Sequence, residues 1–342
     1  MVFLDYASTC PIVKFSSKLY DGFHCNPNSA YAYEERKALM NCEWRIKSAI
    51  GVKGGHVLYF RCATEAIEWL FGEADKRGGN WRHSPYEHDA CLFGIERHPD
   101  KLEYANFYIH QWVNHITGEI FNLKTIRSQL PETCKLIVDA TAGFGKAKLP
   151  SGLDNIADAL FMSGHKIGCP ELSFMWLSDN LCKWLGAAKD IRNQWGLHHG
   201  SLSMASVLAL TDAVEWACEN GDRIGGHSAG LYVRMNGMLD KARVEHHDVL
   251  EHQMFTCSIN AIRLNGINAD ALQQFLASRG VYVGVGGSAC SAAHDYRVLR
   301  AYGLTDDEAS EVIRVSFGDE TTASDIEALV EGIKEYKGMF IA

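Results

Sequence analysis

Short apolar runs, each followed at once by polar residues, recur along the first half of the chain. By length and composition, five of them are predicted to be buried strands, at 56–60, 107–113, 135–138, 159–162 and 174–177. Segments with helical spacing lie between several of these runs, beginning with residues 32–50, which end at Gly51. Strands that alternate with helices predict an α/β fold with a mostly parallel sheet. The strand at 174–177 is expected to return as a hairpin from the strand before it.

Polar residues stand at the carboxyl ends of these predicted strands. Asn114-His115 follows one strand, Asp139 a second, and Ser163-Gly164-His165-Lys166 a third. In an open parallel α/β sheet the ligand binds at this edge, so we expect the polar residues to converge on one cleft. The first strand leads into a helix that starts at Ala63, and the unpaired amides of such a start suit a phosphate. An ordinary strand-to-helix turn is the alternative that this stretch alone leaves open.

The remainder of the chain predicts a second, smaller domain. A helix from Ser203 to about Glu219 is expected to break at Asn220-Gly221-Asp222. Beyond it we predict strands at 257–263, 281–285 and 312–317 and helices at 222–242, 269–279 and 324–336. The predicted organisation is a large domain over 11–220 and a small α+β domain made of 1–10 and 221–342.

Composition and charge narrow the classes of function. The chain has 342 residues, 47% of them hydrophobic and 22% charged, as expected for a globular protein. It shows neither a membrane-spanning run nor a signal peptide, so a cytoplasmic location without membrane association is expected. The net charge of −9 argues against direct binding of nucleic acid. The eleven cysteines are scattered without a CxxC pair, so reduced thiols and no metal site are expected.

Lys166 is the residue on which the chemistry depends. A lysine directly after a buried strand is unusual, because an ammonium group is costly to bury. A desolvated lysine can form a Schiff base with an aldehyde, and Ser163 and His165 beside it can bind an anion. The tetrapeptide therefore points to a lysine that binds pyridoxal 5'-phosphate (PLP). An ordinary surface lysine is the alternative that the tetrapeptide alone leaves open.

Nine short motifs extend this interpretation along nearly the whole chain. They are Leu4-Asp5-Tyr6-Ala7, Asn26-Pro27, Ala63-Thr64-Glu65, Glu87-His88, Val138-Asp139-Ala140-Thr141, Ser163-Gly164-His165-Lys166, Gly287-Ser288-Ala289-Cys290, Val298-Leu299-Arg300-Ala301 and Ile313-Arg314-Val315-Ser316-Phe317-Gly318. Their order resembles that of the cysteine desulfurases, in the class V aminotransferase group of fold-type I PLP enzymes. The resemblance implies a mostly parallel seven-stranded sheet between helices in the large domain.

The resemblance also implies how the cofactor is bound. Lys166 would form the Schiff base with PLP and then move protons between the substrate Cα and the cofactor. Asp139 would lie at the pyridine nitrogen and keep the ring protonated, so that the ring accepts electrons. His88 would stack on the ring and shuttle protons. The phosphate would be bound by Ala63, Thr64, Ser163 and His165.

Three further residues would act on the substrate, L-cysteine. Arg314 would bind the α-carboxylate through two parallel hydrogen bonds, and Asn26 would border the substrate. The thiolate of Cys290 would attack the substrate sulfur, leaving alanine and a Cys290 persulfide. Such a nucleophile needs exposure and a lowered pKa, and Gly284, Gly286 and Gly287 precede it as a mobile loop in the small domain.

The resemblance further implies a homodimer with a shared active site. Gly200-Ser201 stands where the family has a Gly-Thr pair that reaches the phosphate of the other subunit. Other positions depart from the family: His115 replaces an asparagine that bonds the cofactor's phenolic oxygen, and Ala142 replaces a glutamine that touches the same oxygen. We carry the cofactor-binding role over to His115. His198-His199 stands where the family has an arginine near the phosphate.

The predicted function is that of a PLP-dependent L-cysteine desulfurase that passes sulfur from Cys290 to an acceptor protein. Acceptors in the family are iron–sulfur scaffolds, tRNA-thiolation enzymes and DNA-phosphorothioation components. The chain is short between His88 and Val113 and at its C-terminus, which favours a specialised member with its own acceptor. One alternative is a selenocysteine lyase or another class V enzyme, which Cys290→Ala would reveal by continued alanine production. The other is a degenerate scaffold subunit, which would not bind PLP.

Overall fold

The computed structural model describes residues 1–20, 22, 25–96, 105–250, 253–286 and 295–340. The chain forms two compact units, which we call the large unit and the small unit. The large unit comprises Ile12–Trp112 and Asn122–Asn220, and the small unit comprises Met1–Pro11, Val113–Phe121 and Gly221–Ala342. The sequence analysis assigned 113–121 to the large domain. The structure places this segment in the small unit, where Glu119 pairs with Phe255.

The large unit is built on a six-stranded sheet in the order β2-β7-β6-β5-β4-β3. All strands run parallel except β7, which is antiparallel to both of its neighbours. The strands are β2 (His56–Phe60), β3 (Trp81–His83), β4 (Phe107–Gln111), β5 (Lys135–Asp139), β6 (Ala159–Ser163) and β7 (Ser173–Leu177). The α/β fold class is therefore confirmed, and β7 returns antiparallel to β6 as predicted.

Helices lie before, between and after these strands. They are α1 (Tyr33–Ile50), α2 (Ala63–Asp75), α3 (Asp89–Glu96), α4 (Leu123–Gln129), α5 (Asp179–Leu185), the short α6 (Arg192–Trp195) and α7 (Met204–Lys241). Helix α1 ends where predicted, because Gly51 adopts a left-handed φ of 73° that suits a residue without Cβ. All five residues of β6 are buried, as expected for a strand covered on both faces.

The sheet has six strands among the described residues, where the resemblance implied seven. Residues 97–104, between α3 and β4, are outside the described part of the chain.

The small unit contains a five-stranded sheet in the order β1-β10-β11-β9-β8. The strands are β1 (Val2–Leu4), β8 (His246–Asp248), β9 (Ile259–Leu264), β10 (Val281–Val285) and β11 (Val312–Ser316), and the helices are α8 (Ala269–Ser278), α9 (Arg297–Ala301), α10 (Asp306–Ala309) and α11 (Ala323–Phe340). Its core includes Leu239, Ile262, Leu272, Ile313 and Leu329, all nearly inaccessible to solvent. Only β1 pairs in parallel, with β10. No helix in the described ranges is both long enough and apolar enough to cross a membrane.

Helix α7 corrects one prediction. It runs without interruption through Asn220-Gly221-Asp222, where the sequence analysis placed a break and two separate helices. A glycine inside a helix costs only about 1 kcal/mol relative to alanine. Here Gly221 is buried and the Asn220 side chain donates to the Trp216 carbonyl at 2.9 Å. Packing along a 38-residue helix outweighs that local cost.

Candidate active site

Five strands of the large unit end at one edge of its sheet. Because β7 is antiparallel to both β2 and β6, β2 runs in the same direction as β3, β4, β5 and β6. The site residues that the sequence predicts in this part of the chain follow those carboxyl ends: Ala63 and Thr64 after β2, His88 after β3, Asp139 at the end of β5, and Ser163, His165 and Lys166 at the end of β6.

Asp139 is the last residue of β5 and is 7% exposed. Its Oδ1 accepts the amide of Thr141 at 2.9 Å, and its Oδ2 lies 3.9 Å from the Cys91 thiol. These contacts fix the carboxylate at the sheet edge. A buried carboxylate held in this way suits a cationic ring nitrogen, which is the role expected of Asp139.

The sequence analysis missed Cys91. Glu87, Cys91 and Asp139 are buried, and one ligand atom from each lies within 4.8 Å of the others. Burial and the two carboxylates hold the pKa of the Cys91 thiol well above its ordinary value. Cys91 therefore remains a protonated donor next to Asp139. The sequence feature that could have indicated it is its position in α3, shortly after Glu87-His88.

His88 lies directly before α3 and is partly exposed. Its carbonyl accepts the Cys91 amide at 2.8 Å, and its Nδ1 accepts the Ala90 amide at 3.2 Å. Because Nδ1 accepts a hydrogen bond, the neutral ring carries its proton on Nε2. The start of α3 thus fixes both the orientation and the tautomer of this imidazole.

The Ser163-Gly164-His165-Lys166 turn follows β6. Ser163 is buried, with its Oγ 3.4 Å from the Ser173 Oγ. Gly164 is required, because a Cβ there would lie 2.2 Å from the Leu172 carbonyl oxygen. His165 and Lys166 are partly exposed. The tight turn thus places the imidazole and the amine of consecutive residues at the end of the strand.

The electrostatics of this turn favour an anion. Burial, followed by the charges of Lys166 and Lys146, lowers the pKa of His165 to about 4. The imidazole is therefore neutral at physiological pH and lies in a positive potential. Lys146, which is 6% exposed, is a second residue that the sequence analysis missed. The sequence feature that could have indicated Lys146 is a lysine after Gly145, shortly beyond Asp139.

The start of α2 supplies further donors at this edge. The Cys62 Sγ accepts the Glu65 amide at 3.4 Å, and the Glu65 carboxylate accepts the Arg61 amide at 2.7 Å. Within the described ranges, no protein acceptor receives the amides of Ala63 and Thr64. Strand register aligns Phe60 with Ser173 and Ser173 with Ser163, so α2 begins two strands from the lysine turn.

Asn26 and Ser201 lie against each other. The Asn26 Nδ2 donates to the exposed Ser201 Oγ at 2.7 Å, and the Asn28 side chain donates to the Gly200 carbonyl at 3.3 Å. His198, in place of the family's arginine, is half-buried with its Nδ1 2.8 Å from the Gln194 amide nitrogen. Burial lowers the pKa of His198, so this position carries less positive charge than an arginine would.

The small unit holds the other predicted site residues. Arg314 lies on β11 and is 1% exposed, with Nη1 donating to the His115 carbonyl at 3.0 Å. His115 itself is buried. Cys290, the predicted nucleophile, lies outside the described residues, as do Gly287, Ser288 and Ala289.

The residues of the large unit fit PLP. Asp139 offers a buried carboxylate that suits the ring nitrogen, and Lys166 offers an amine that can join an aldehyde. The positive potential around His165 and the two amides at the start of α2 suit a phosphate dianion. Ala142, buried where the family has a glutamine, has no side-chain donor for a hydrogen bond to the cofactor.

The two-sheet α/β fold, with Asp139 at the end of β5 and Lys166 in the turn after β6, is that of the fold-type I PLP enzymes. The aminotransferase class-V family model matches residues 103–329, and the chain belongs to this family. Its members are PLP-dependent enzymes.

Several relatives have names that state a reaction. The chain is 25% identical over 376 residues to a putative cysteine desulfurase NifS of Halalkalibacterium halodurans, covering 98% of each chain. It is 26% identical over 378 residues to the cysteine desulfurase IscS of Mannheimia succiniciproducens, covering 97% of this chain and 92% of the relative.

Solved structures share the fold. A NifS-like protein superposes with a TM-score of 0.83 at 19% identity, covering 99% of this chain and 100% of the other. The apo structure of a cysteine desulfurase from Thermococcus onnurineus superposes with a TM-score of 0.76 at 16% identity, covering 98% and 95%.

Proposed function

We propose that the protein is a PLP-dependent L-cysteine desulfurase. The observation that carries the proposal is the convergence of Asp139, His88, the Ser163–Lys166 turn and the start of α2 at one sheet edge. Relatives named cysteine desulfurase over nearly the full length of the chain support the choice of reaction within the class V family.

The chain's own residues would hold PLP at both of its ends. Asp139 would bind the ring nitrogen, with Cys91 and the Thr141 amide keeping its carboxylate in place. Ser163, neutral His165, Ala63 and Thr64 would bind the phosphate. PLP held at this site would supply the electron sink that stabilises negative charge at the substrate Cα.

Two side chains would move protons. Lys166 takes the proton from the substrate Cα and returns one when alanine forms. His88 offers Nε2 as the atom that carries a mobile proton, because Nδ1 is engaged by the Ala90 amide. A group positioned in this way contributes roughly 10²–10⁴-fold to the rate.

The sulfur of the substrate would be transferred to the thiol of Cys290. The Cys290 Sγ bonds to the substrate sulfur as the carbon–sulfur bond breaks. The net reaction converts L-cysteine and the Cys290 thiol to L-alanine and a Cys290 persulfide, and it balances without an external oxidant or reductant. Arg314 would bind the α-carboxylate, and Asn26 would border the substrate. The persulfide would then pass to an acceptor protein.

We further propose a homodimer. Tyr33, Met40 and Trp44 are 67%, 54% and 63% exposed and lie on one face of α1 by their spacing. An apolar stripe of this kind on a folded protein marks an interaction surface. A second copy of the chain is the partner that also explains the expected role of Ser201, a hydroxyl exposed on the same unit.

The test is single-turnover labelling with ³⁵S-cysteine, with alanine measured in parallel. Wild type should retain label that a reducing thiol releases, and Lys166→Ala and Cys290→Ala should retain none. Cys218→Ala is the matched control, because burial raises the pKa of that thiol to about 12 and excludes it as a nucleophile. Labelling of Cys290→Ala at the wild-type level, with alanine formed, would contradict the proposal.

A further inference from the structure

Arg314 is held by more than the carbonyl of His115. Its Nη2 donates to the Asp5 Oδ1 at 2.7 Å and to the Ser8 Oγ at 2.7 Å. Ser8 in turn donates to the Asp5 Oδ2 at 2.6 Å. The side chains of Arg314, Asp5 and Ser8 thus form a closed triangle of hydrogen bonds. The Arg314 side chain is almost fully buried, whereas the Asp5 side chain is 19% exposed.

The small unit's own sheet brings Asp5 to Arg314. Asp5 directly follows β1 and forms a bridge with Ser316 on β11, whose Oγ accepts the Ala7 amide at 2.8 Å. Arg314 stands two residues before Ser316 and so lies on the same face of that strand. The turn after β1 is thereby fixed over the guanidinium.

Gly284 allows the Asp5 carboxylate and the Arg314 guanidinium to lie close together. The sequence analysis placed Gly284 in a mobile loop, but it lies on β10 and pairs with Arg314 on β11. A Cβ at Gly284 would lie 2.9 Å from the Arg314 Nε, 3.0 Å from Nη2 and 2.9 Å from the Asp5 Oδ1. The Nε and Nη2 side of the guanidinium therefore faces the space above Gly284, where the Asp5 carboxylate also lies.

The Arg314 guanidinium does not use all of its hydrogen-bond donors on the side of Nε and Nη2. A carboxylate binds a guanidinium through two parallel N–H groups, either Nε with Nη2 or Nη1 with Nη2. Both pairs need an Nη2 hydrogen, and Asp5 and Ser8 take both. The Nε hydrogen is buried and has no acceptor among the described residues. A buried donor left in this way is costly and calls for a ligand.

We propose that Asp5 is a resident carboxylate on Arg314 that the substrate α-carboxylate displaces from Nη2. The incoming group would satisfy Nε and take over the Nη2 hydrogen, while Ser8 retains the released Asp5 through its Oδ2. Asp5 is thus a positioning residue that sets the affinity for the substrate. The inference rests on the proposed function for the identity of that substrate.

The test uses propionate on the PLP-loaded protein, measured by isothermal titration calorimetry. Propionate carries the carboxylate of alanine but no amine, so it cannot react with PLP. Asp5→Asn keeps the side-chain shape and removes the competing charge, and it should bind propionate roughly tenfold more tightly than wild type. The KM for L-cysteine should fall with it.

A second variant acts in the opposite direction. Gly284→Ala places a methyl group over Nε and should weaken propionate binding roughly tenfold or more. Asp319→Asn is the matched control, since it breaks a 2.7 Å ion pair with Arg223 on the surface of the same unit. It should leave propionate affinity unchanged.

The outcomes separate the inference from the proposed function. Unchanged or weaker propionate binding by Asp5→Asn would overturn the inference, as would unchanged binding by Gly284→Ala. If wild type makes alanine from cysteine while Asp5→Asn shows no tightening, only the inference fails. If Asp5→Asn tightens propionate binding while wild type makes no alanine, the desulfurase proposal fails and the role of Asp5 stands.

Discussion

His165 should make the PLP-free protein lose stability on mild acidification. Burial and the neighbouring Lys166 and Lys146 lower its pKa from 6.5 to about 4. The folded state therefore binds the proton more weakly than the unfolded state does. A histidine whose pKa is lowered by folding contributes stability at pH values above 6.5, its pKa in the unfolded state. That contribution is lost as pH falls from 6.5 towards 4.

The magnitude follows from the two pKa values. Between pH 7 and pH 5, a shift from 6.5 to about 4 removes roughly 2 kcal/mol of the free energy of unfolding. His110, whose pKa burial also lowers to about 4, should remove a similar amount. The two histidines together should thus account for roughly twice the loss that either causes alone.

Urea unfolding of the PLP-free protein at pH 7 and pH 5 measures this difference. His165→Gln should reduce the loss by about 2 kcal/mol, because the glutamine does not titrate. His247→Gln, at an exposed position, controls for the substitution itself. If His165→Gln shows the same loss between pH 7 and pH 5 as wild type, the lowered pKa of His165, and with it the neutral imidazole at the phosphate end of the site, is wrong.

Two further predictions concern packing and assembly. Gly284→Ala should lower the free energy of unfolding by roughly 1–3 kcal/mol in urea, because its methyl group would press on the buried Arg314 guanidinium; an unchanged midpoint would contradict this. Met40→Asp with Trp44→Asp should convert the dimer to a monomer by light scattering, whereas Val233→Asp, equally exposed on α7, should not. A wild type that is already monomeric would refute the dimer.

Local pattern accounts for the elements that the sequence predicted well. Strands β2, β5 and β6 and helix α1 lie within a residue or so of their predicted bounds. Each is specified by a short apolar run or by helical spacing with a glycine at its end, and such signals act over a few residues. The same holds for Lys166, whose position directly after a buried run is visible in the sequence.

Local pattern failed where packing outweighs propensity. Asn220-Gly221 has the composition of a break, yet α7 continues because burial along the helix exceeds the cost of one glycine. The segment Val113–Phe121 follows a strand of the large unit in sequence but joins the small unit through pairing with Phe255. Neither outcome is encoded within a window of a few residues.

The sequence by itself determined the class of chemistry, since nine short motifs, among them an amine after a buried strand and a carboxylate at the end of another, follow the order of one enzyme family. Only the tertiary structure decided what surrounds them. Cys91 meets Asp139 across 48 positions, and Asp5 meets Arg314 across 309. Such contacts depend on strand register and on the absence of a side chain at Gly284. Their effect on hydrogen bonding and charge exists only once the sheets have formed.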